Sequence, residues 1–410
     1  MLLRIDDTDR GRSDPTLIPL IDDDLRWLGL DWDFSGRQSE RETAYEEALR
    51  TLEAAGRIYA CYETADELMA KREAARAAGR APVYDRASRD LTAPDRARLE
   101  AEGRRPHWRF FLGGQPITFE DLIQGGKAFA PAALSDPVVR RADGGFTFLF
   151  ASAVDDRVFA ISHVIRGEDH VSNTAVQVAL MGALGGPVPR FGHLPLLLDG
   201  SGAPLSKRLG SIDLGSLRDA GTEPLALASY LAALGTSAAP RVVEETAALA
   251  QGFRIEAYGR APPRFDPETL ARLSALTLRS LPFTRVASRL RAIGLGEADE
   301  PFWLAVRPNL ERLEDAADWW AVCREPLAPI VDDPAFLEGA AALLPEGALD
   351  ENAAAAWLEA IREKTGRRGK ALFRPLRLAL TAREHGPSLA HLLPILGRER
   401  VLARLRGETA

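Results

Sequence analysis

Between Phe159 and Arg208 the chain reads FAISHVIRGEDHVSNT, then an alanine-rich apolar run, then FGHLPLLLDGSGAPLSKR. Apolar and small residues alternate from Val158 to Ile165, which predicts a strand that stops at the charged cluster Arg166-Gly167-Glu168-Asp169-His170. Ser172, Asn173 or Thr174 is expected to cap a helix over Ala175 to Leu184, ended by Gly185-Gly186-Pro187. A second short strand, Leu194 to Leu198, is predicted to run into the turn-forming Asp199-Gly200-Ser201-Gly202 and then Leu205-Ser206-Lys207-Arg208. Strand, helix, strand and basic loop in that order predict an open parallel sheet, where ligands gather at the carboxyl ends of strands. The Arg166 cluster and the Lys207 loop would then face one crevice.

At 410 residues the chain exceeds one compact domain, and about two to four are expected. Its 46% hydrophobic and 27% charged residues suit ordinary cores and exclude a disordered chain. No apolar run approaches the roughly 20 residues that span a bilayer, and acids stand where a signal peptide would be apolar. A cytoplasmic protein with no membrane partner is expected. Cys61 and Cys323 are too few for a disulfide framework. A net charge of -7 argues against general coating of nucleic acid, while local basic surfaces remain compatible with it.

HVIRGEDHVSNT and PLSKR, in this order and at this separation, resemble the second half of a class I aminoacyl-tRNA synthetase core, specifically that of the glutamyl-tRNA synthetases. PLSKR is similar to their KMSKS-type loop. The likeness continues in MLLRIDDTDRGR (1–12), in WLGLDWD (27–33) followed by Gln38-Ser39-Glu40-Arg41, in GRRGKALFRPLR (366–377) and in His385-Gly386-Pro387. It implies a doubly wound, Rossmann-like α/β catalytic core with an α+β insertion, followed by an all-α anticodon-binding domain. The segments implied are 1–60, the first part of the core; 61–143, an acceptor-stem-binding insertion; and 144–208, the second part of the core. A stem-contact domain over 209–279 and a helical anticodon-binding domain over 280–410 complete them.

The same resemblance implies ATP-dependent attachment of L-glutamate to the 3′ end of tRNA through a glutamyl-adenylate. The partners implied are tRNA(Glu), with tRNA(Gln) open as a second acceptor, and the chain is expected to be a monomer. Such a reaction joins two anions, so the site must supply positive charge and hold the attacking oxygen in line. Arg166 would grip the γ-carboxylate, since a guanidinium offers parallel donors to it; an Arg paired with Glu168 or Asp169 is the alternative. Asp6 would approach the substrate ammonium, and Phe148 and Ser152 would stand near the amino acid, where relatives often carry Tyr and Asn. Asp169, Leu197 and Lys207 are implied at ATP, Ser206, Lys207 and Arg208 in catalysis, and Asp9 at the terminal adenosine of the tRNA. Mg²⁺ would accompany ATP, held through phosphate oxygens and water. His163, His170 and His193 read as hydrogen-bonded structural residues.

Several positions depart from the family's pattern. The chain starts at the strand that follows the family's first strand and HIGH-type signature, which implies a misassigned start or a truncation. A non-catalytic tRNA-binding relic is therefore the rival to the enzyme. Many relatives open a zinc site with Cys-x-Cys, but here Glu63 stands two residues after Cys61, and the later segment reads Tyr84-Asp85-Arg86-Ala87-Ser88-Arg89. One thiolate cannot hold the ion, so no structural zinc is expected. Pro204 replaces a Lys of the loop motif. Arg104, Arg105 and Arg109, and the basic residues of 366–377, are read either as phosphate contacts or as ordinary helix and surface charge.

Overall fold

A computed structural model describes residues 1–9, 11, 13–205 and 213–410 of the chain. It divides into two units, the first formed by Met1–Ser211, Ala233–Ala239 and Gly252–Phe265, the second by Ile212–Ala232, Pro240–Gln251 and Asp266–Ala410.

In the first unit, β1 (Leu2–Ile5) and β2 (Phe34–Arg37) pair in parallel around α1 (Ile18–Trp27). Asp14 accepts the N–H of Thr16 and Pro15 opens the 3-10 turn that leads into α1, the arrangement expected of an Asp-Pro helix start. α2 (Glu42–Ala54) buries Tyr45, Ala48, Leu49 and Leu52, one face at helical spacing. β3 (Ile58–Cys61) leads to α3 (Ala65–Ala77) and α4 (Ala93–Ala101), each begun by a threonine capping box. β4 (His107–Phe110), β5 (Ile117–Asp121), β6 (Gly125–Phe129) and β7 (Val138–Arg140) follow. Then come α5 (Phe148–Val158), β8 (His163–Gly167), α6 (Val171–Leu184) and β9 (Arg190–Leu194). β3, β4 and β7 form an antiparallel sheet, and β6-β5-β9-β8 a mixed one in which β5, β9 and β8 run parallel. The core is thus α/β with mixed sheets rather than one open parallel sheet.

Three local expectations shift. The strand predicted from Val158 starts only at His163, because α5 runs through Val158 and the chain then turns at Ala160, whose φ is 51°. The second strand lies at Arg190–Leu194, upstream of Leu194–Leu198; Pro195 carries no N–H for a ladder and ends it. None of Ser172, Asn173 and Thr174 caps α6, which begins at Val171 directly from a 3-10 turn over Glu168–His170. Thr174 thereby falls inside the first turn, free to serve the site.

At the position of the family's metal site, Glu63 accepts from Ser88 Oγ at 2.6 Å, Tyr84 Oη at 2.8 Å and Lys71 Nζ at 3.2 Å. Cys61 Sγ lies 3.6 Å from Tyr84 Oη, and burial pushes its thiol up to about 11. A protonated thiol, a carboxylate and an ammonium close this cluster on itself. Burial alone would raise the Glu63 carboxyl, but the hydrogen bonds from Ser88, Tyr84 and Lys71 outweigh it and hold it at about 2. Nearby, Arg104 is committed to Glu67 at 2.9 Å, and Arg109 is buried over the Tyr84 ring with Nη1 on the Asp136 carbonyl. Arg105 alone of that trio is exposed.

The second unit is helical: α7 (Leu214–Asp219), α8 (Pro224–Ala233), α9 (Ala247–Gly252), α10 (Pro267–Ser280), α11 (Phe283–Ala292) and α12 (Glu300–Val306), then α13 (Asp315–Arg324), α14 (Pro334–Ala342), α15 (Glu351–Thr365), α16 (Lys370–Thr381), α17 (Leu389–Leu396) and α18 (Arg398–Leu405). Asp266 caps α10 with Pro267 in its first turn, as its sequence predicts. Trp303, Trp319 and Trp357 are buried with Phe302, Leu376 and Leu392, and the indoles of Trp303 and Trp357 each donate to a carbonyl at 2.9 Å. Of the basic run 366–377, Arg367 pairs with Asp333, Arg374 with Asp332 and Glu384, and Arg377 donates to the Pro387 carbonyl. Arg404 is fully buried, donating to the carbonyls of Val322 and Leu380 in the last turns of α13 and α16, at 2.9 and 2.7 Å. A cation there complements two helix C-termini at once. Among the described residues no helix is long and apolar enough to cross a membrane, and both cysteines are free and buried.

Arg404→Met strands these carbonyls in the core, and we expect a loss of about 3 kcal/mol, read from urea unfolding; an unchanged midpoint would refute the role. The folded carboxyl of Glu63 lies near 2 against 4.5 ordinarily, so its contribution is full above pH about 4.5 and disappears as pH falls towards 2. The stability gap between the natural protein and Glu63→Gln should therefore be wide at pH 7 and narrow at pH 3, whereas a pH-independent gap would show that the charge is irrelevant.

Candidate active site

β8 and β9 pair in parallel with His163 against Arg190 through Gly167 against Leu194, which sets Arg166 opposite His193. The guanidinium of Arg166 is half-buried. Its Nη2 donates to Thr174 Oγ1 and Gln177 Oε1, both at 2.6 Å, and its Nε lies 3.4 Å from His193 Nε2. Among the described residues no carboxylate comes within ion-pair distance of it, so the pairing with Glu168 or Asp169 does not form. Glu168 instead accepts from Gln124 Nε2 at 3.1 Å, and Asp169 approaches His170 at 3.7 Å. Burial lowers the Arg166 pKa, only partly offset by the charges of Asp156 and Asp169. A buried cation among neutral acceptors is a site short of an anion.

Beside it lies a cluster with the opposite deficit. Arg4, on β1, donates to Asp6 and Asp156 at 2.7 Å each, and lies 3.5 Å from Ser152 Oγ. Arg41 donates to Asp155 at 2.7 Å, and Tyr45 Oη donates to Asp155 at 2.9 Å. Two guanidiniums thus stand against three carboxylates, and the surplus is negative. Burial raises the Asp156 carboxyl, with Arg4 opposing and the neighbouring Asp6 and Asp155 reinforcing it. Arg4 would be lowered by burial, but Asp6 and Asp156 hold it above its ordinary value. Among the described residues, Gln38 Oε1 and Arg41 Nη2 in this cluster, and Gln177 Nε2 on the Arg166 side, are buried without a partner. Unsatisfied groups gathered at one place are what a polar ligand would complete.

The residues singled out from sequence fall as follows. Asp6 and Ser152 meet through Arg4, and Asp156 acts electrostatically on both Arg4 and Arg166, which ties the acidic cluster to the Arg166 side. Phe148 is partly exposed and tilts towards His170, ring centroids 6.5 Å apart. Asp6 and Asp9 line different cavities: one of about 700 Å³ with Arg4, Asp7 and Ile21, the other of about 380 Å³ with Asp7, Gln38 and Arg141. Gly167 ends β8 where a Cβ would lie 2.6 Å from Asp169 Oδ1 and 3.2 Å from Leu196 Cδ2, so bare backbone remains there. Leu197 follows in the loop after β9, its carbonyl accepting from Leu205 N–H at 3.1 Å. Ser206, Lys207 and Arg208 lie outside the described residues.

Arg4, Gln38, Arg41, Tyr45, Asp155 and Asp156 were not singled out from sequence. One signal was present: Asp155 and Asp156 close an otherwise apolar run, FTFLFASAV, and two acids there need buried partners. Thr174 and Gln177 carry no such signal, being two polar residues among small and apolar ones.

Residues 1–271 match the family of class I tRNA synthetases (E and Q), catalytic domain, and residues 305–408 match an anticodon binding domain. The chain is 51% identical over its whole length to a protein of Xanthobacter autotrophicus named glutamate–tRNA ligase 2, covering 90% of that relative. It is likewise 51% identical to the glutamate–tRNA ligase of Azospirillum brasilense, covering 92% of it. A crystal structure of a glutamate tRNA ligase from Elizabethkingia meningosepticum, in complex with its amino acid, superposes with a TM-score of 0.82 at 24% identity, over 98% of this chain and 91% of that one. With a catalytic-domain match over residues 1–271 and relatives about 50% identical that align with the whole of this chain, the chain belongs to the class I tRNA synthetases of the E and Q group.

Proposed function

We propose that the protein attaches L-glutamate to the 3′ end of tRNA, using ATP and passing through a glutamyl-adenylate. The observation that carries this reading is the pairing of deficits: a guanidinium without an anion next to a carboxylate cluster without its full complement of cations. An amino acid with a side-chain carboxylate supplies both. Its γ-carboxylate meets Arg166 and its ammonium meets the Asp6, Asp155 and Asp156 group, so the α-carboxylate is left to react. Glutamine would leave the Arg166 charge buried and unpaired, which is a strong basis for rejection. Phe148 and Ser152 would wall the amino acid.

An α-carboxylate oxygen then attacks the α-phosphorus and pyrophosphate departs. The nucleotide would lie over the carboxyl end of β8, beside Asp169 and Leu197. Lys207 would neutralise the charge that develops on the leaving pyrophosphate, with Ser206 and Arg208 beside it. The Mg²⁺ that accompanies ATP would take its oxygens chiefly from phosphate and water. In the second step a ribose hydroxyl of the terminal adenosine, near Asp9, attacks the adenylate carbonyl and AMP leaves.

The five segments named from sequence are assigned accordingly, with 61–143 on the acceptor stem, 209–279 on the tRNA stem and 280–410 on the anticodon. The reaction is placed in the cytoplasm, in a monomer, with tRNA(Glu) as acceptor and tRNA(Gln) as the second candidate. Alignment of the whole chain at 51% identity with proteins named as ligases favours the enzyme over a non-catalytic relic.

Radiolabelled glutamate incubated with total tRNA, ATP and Mg²⁺ should become acid-precipitable with the tRNA, and its failure to do so would remove the reading. Within that assay Arg166→Ala should lower kcat/KM for glutamate about 100-fold or more, the usual consequence of unpairing a buried charge. Lys207→Ala should instead lower kcat about 100-fold and leave the glutamate KM near its original value; a change confined to KM would move Lys207 from the departing phosphate to ground-state binding.

A further inference from the structure

Arg166 is not held by α6 alone. Its register partner His193 is fully buried on β9, and the ring's Nδ1 meets the carboxylate of Asp121 in a short hydrogen bond. Asp121 is buried too, at the end of β5. Its Oδ1 accepts the backbone N–H groups of Ile123, Gln124 and His193 at 2.9, 2.8 and 3.3 Å, which leaves Oδ2 for the ring.

Donor and acceptor roles then fix the imidazole. A carboxylate only accepts, so Nδ1 carries the proton and Nε2 is an acceptor. That acceptor faces Thr174 Oγ1 at 2.8 Å and Arg166 Nε at 3.4 Å. Thr174 Oγ1 and Gln177 Oε1 take the two Nη2 hydrogens. Three of the five guanidinium donors are thereby held by groups that carry no charge, and the pair on Nη1 remains for a ligand. Charged groups reach the ring from three elements, Asp121 on β5, Arg166 on β8 and His170 ahead of α6. Burial, opposed by Asp121 and reinforced by Arg166 and His170, keeps the imidazole below its ordinary pKa and therefore neutral.

The geometry points to Asp121 and His193 as a positioning pair for Arg166: Asp121 selects the imidazole tautomer, and the imidazole fixes the rotation of the guanidinium so that Nη1 is presented to the substrate's side-chain carboxylate. This rests on the glutamate site proposed above. It also ties a residue within the 61–143 segment to recognition of the amino acid.

Asp121→Asn tests it with almost no change of shape. Three backbone N–H groups hold the amide oxygen at the Oδ1 position, so the new NH2 must face Nδ1. The ring proton moves to Nε2, where it opposes the Arg166 Nε–H, as in other histidines whose orienting carboxylate becomes an amide. We expect the glutamate KM in tRNA charging to rise at least about tenfold while the ATP KM stays put. In ¹⁵N-histidine spectra, one of the six histidines, identified by its loss in His193→Gln, should be a neutral Nδ1–H ring and become Nε2–H in Asp121→Asn. A natural protein with His193 in the Nε2–H form overturns the proposal, and that spectrum decides even if the variant does not fold. An Asp121→Asn protein with unchanged glutamate KM, where Arg166→Ala has lost it, also overturns the positioning role. If Arg166→Ala too leaves the glutamate KM unchanged, it is the underlying glutamate site that fails.

Discussion

The parallel register between β8 and β9 is the constraint on which the site depends. It sets Arg166 across from His193, and the 3-10 turn at the end of β8 brings the first two turns of α6, with Thr174 and Gln177, over the same guanidinium. Successive side chains of a strand point to opposite faces, so a slip of one residue would turn Arg166 away and bring Ile165 or Gly167 in its place. The pairing therefore defines where positive charge can sit. Every group that hydrogen-bonds the guanidinium is neutral, which is costly for an empty site and favourable once an anion arrives.

The facing acids depend on a different element. α5 buries every residue from Phe150 to Asp156, so Asp155 and Asp156 are carried into the interior by an apolar helix and must be met there by Arg41, Tyr45 and Arg4. Those partners come from β1, from α2 and from the turn just before it. Their convergence orients α5 and the β1–β2 pair relative to each other through charge as well as through packing.

How much of this was legible in the sequence follows from how local each signal is. A helix start such as Asp266-Pro267 is local chemistry, a side-chain acceptor followed by a residue of fixed φ, and needs no distant partner. The strands around the site did not read correctly, for physical reasons. β9 carries Arg190, Gly192 and His193, a poor strand pattern, while the more apolar Leu196-Leu197-Leu198 just past it is loop because Pro195 ends the ladder. α5 is apolar on all sides and so shows no period that marks a helix. Asp6, Ser152 and Arg166 could be named from their motifs, but Arg4 and Asp121 take their meaning from partners more than 70 residues away, Asp156 and His193, and Thr174 takes its meaning from Arg166 and His193 on two neighbouring strands. Sequence spacing carries no trace of such contacts.

The sheet order β6-β5-β9-β8 has an implication for how such a chain can change over evolutionary time. β5 and β6 lie inside the 61–143 segment, yet they are strands of the same sheet as β8 and β9. The β3-β4-β7 sheet is separate in its hydrogen bonding, yet Phe110 and Val139 pack in one core with Phe150 and Ala175. Removal of the β5–β6 hairpin would expose one edge of β9 and take from the buried ring of His193 the carboxylate that its Nδ1 meets. Any change in the hairpin is thereby a change in the sheet that carries Arg166 and His193.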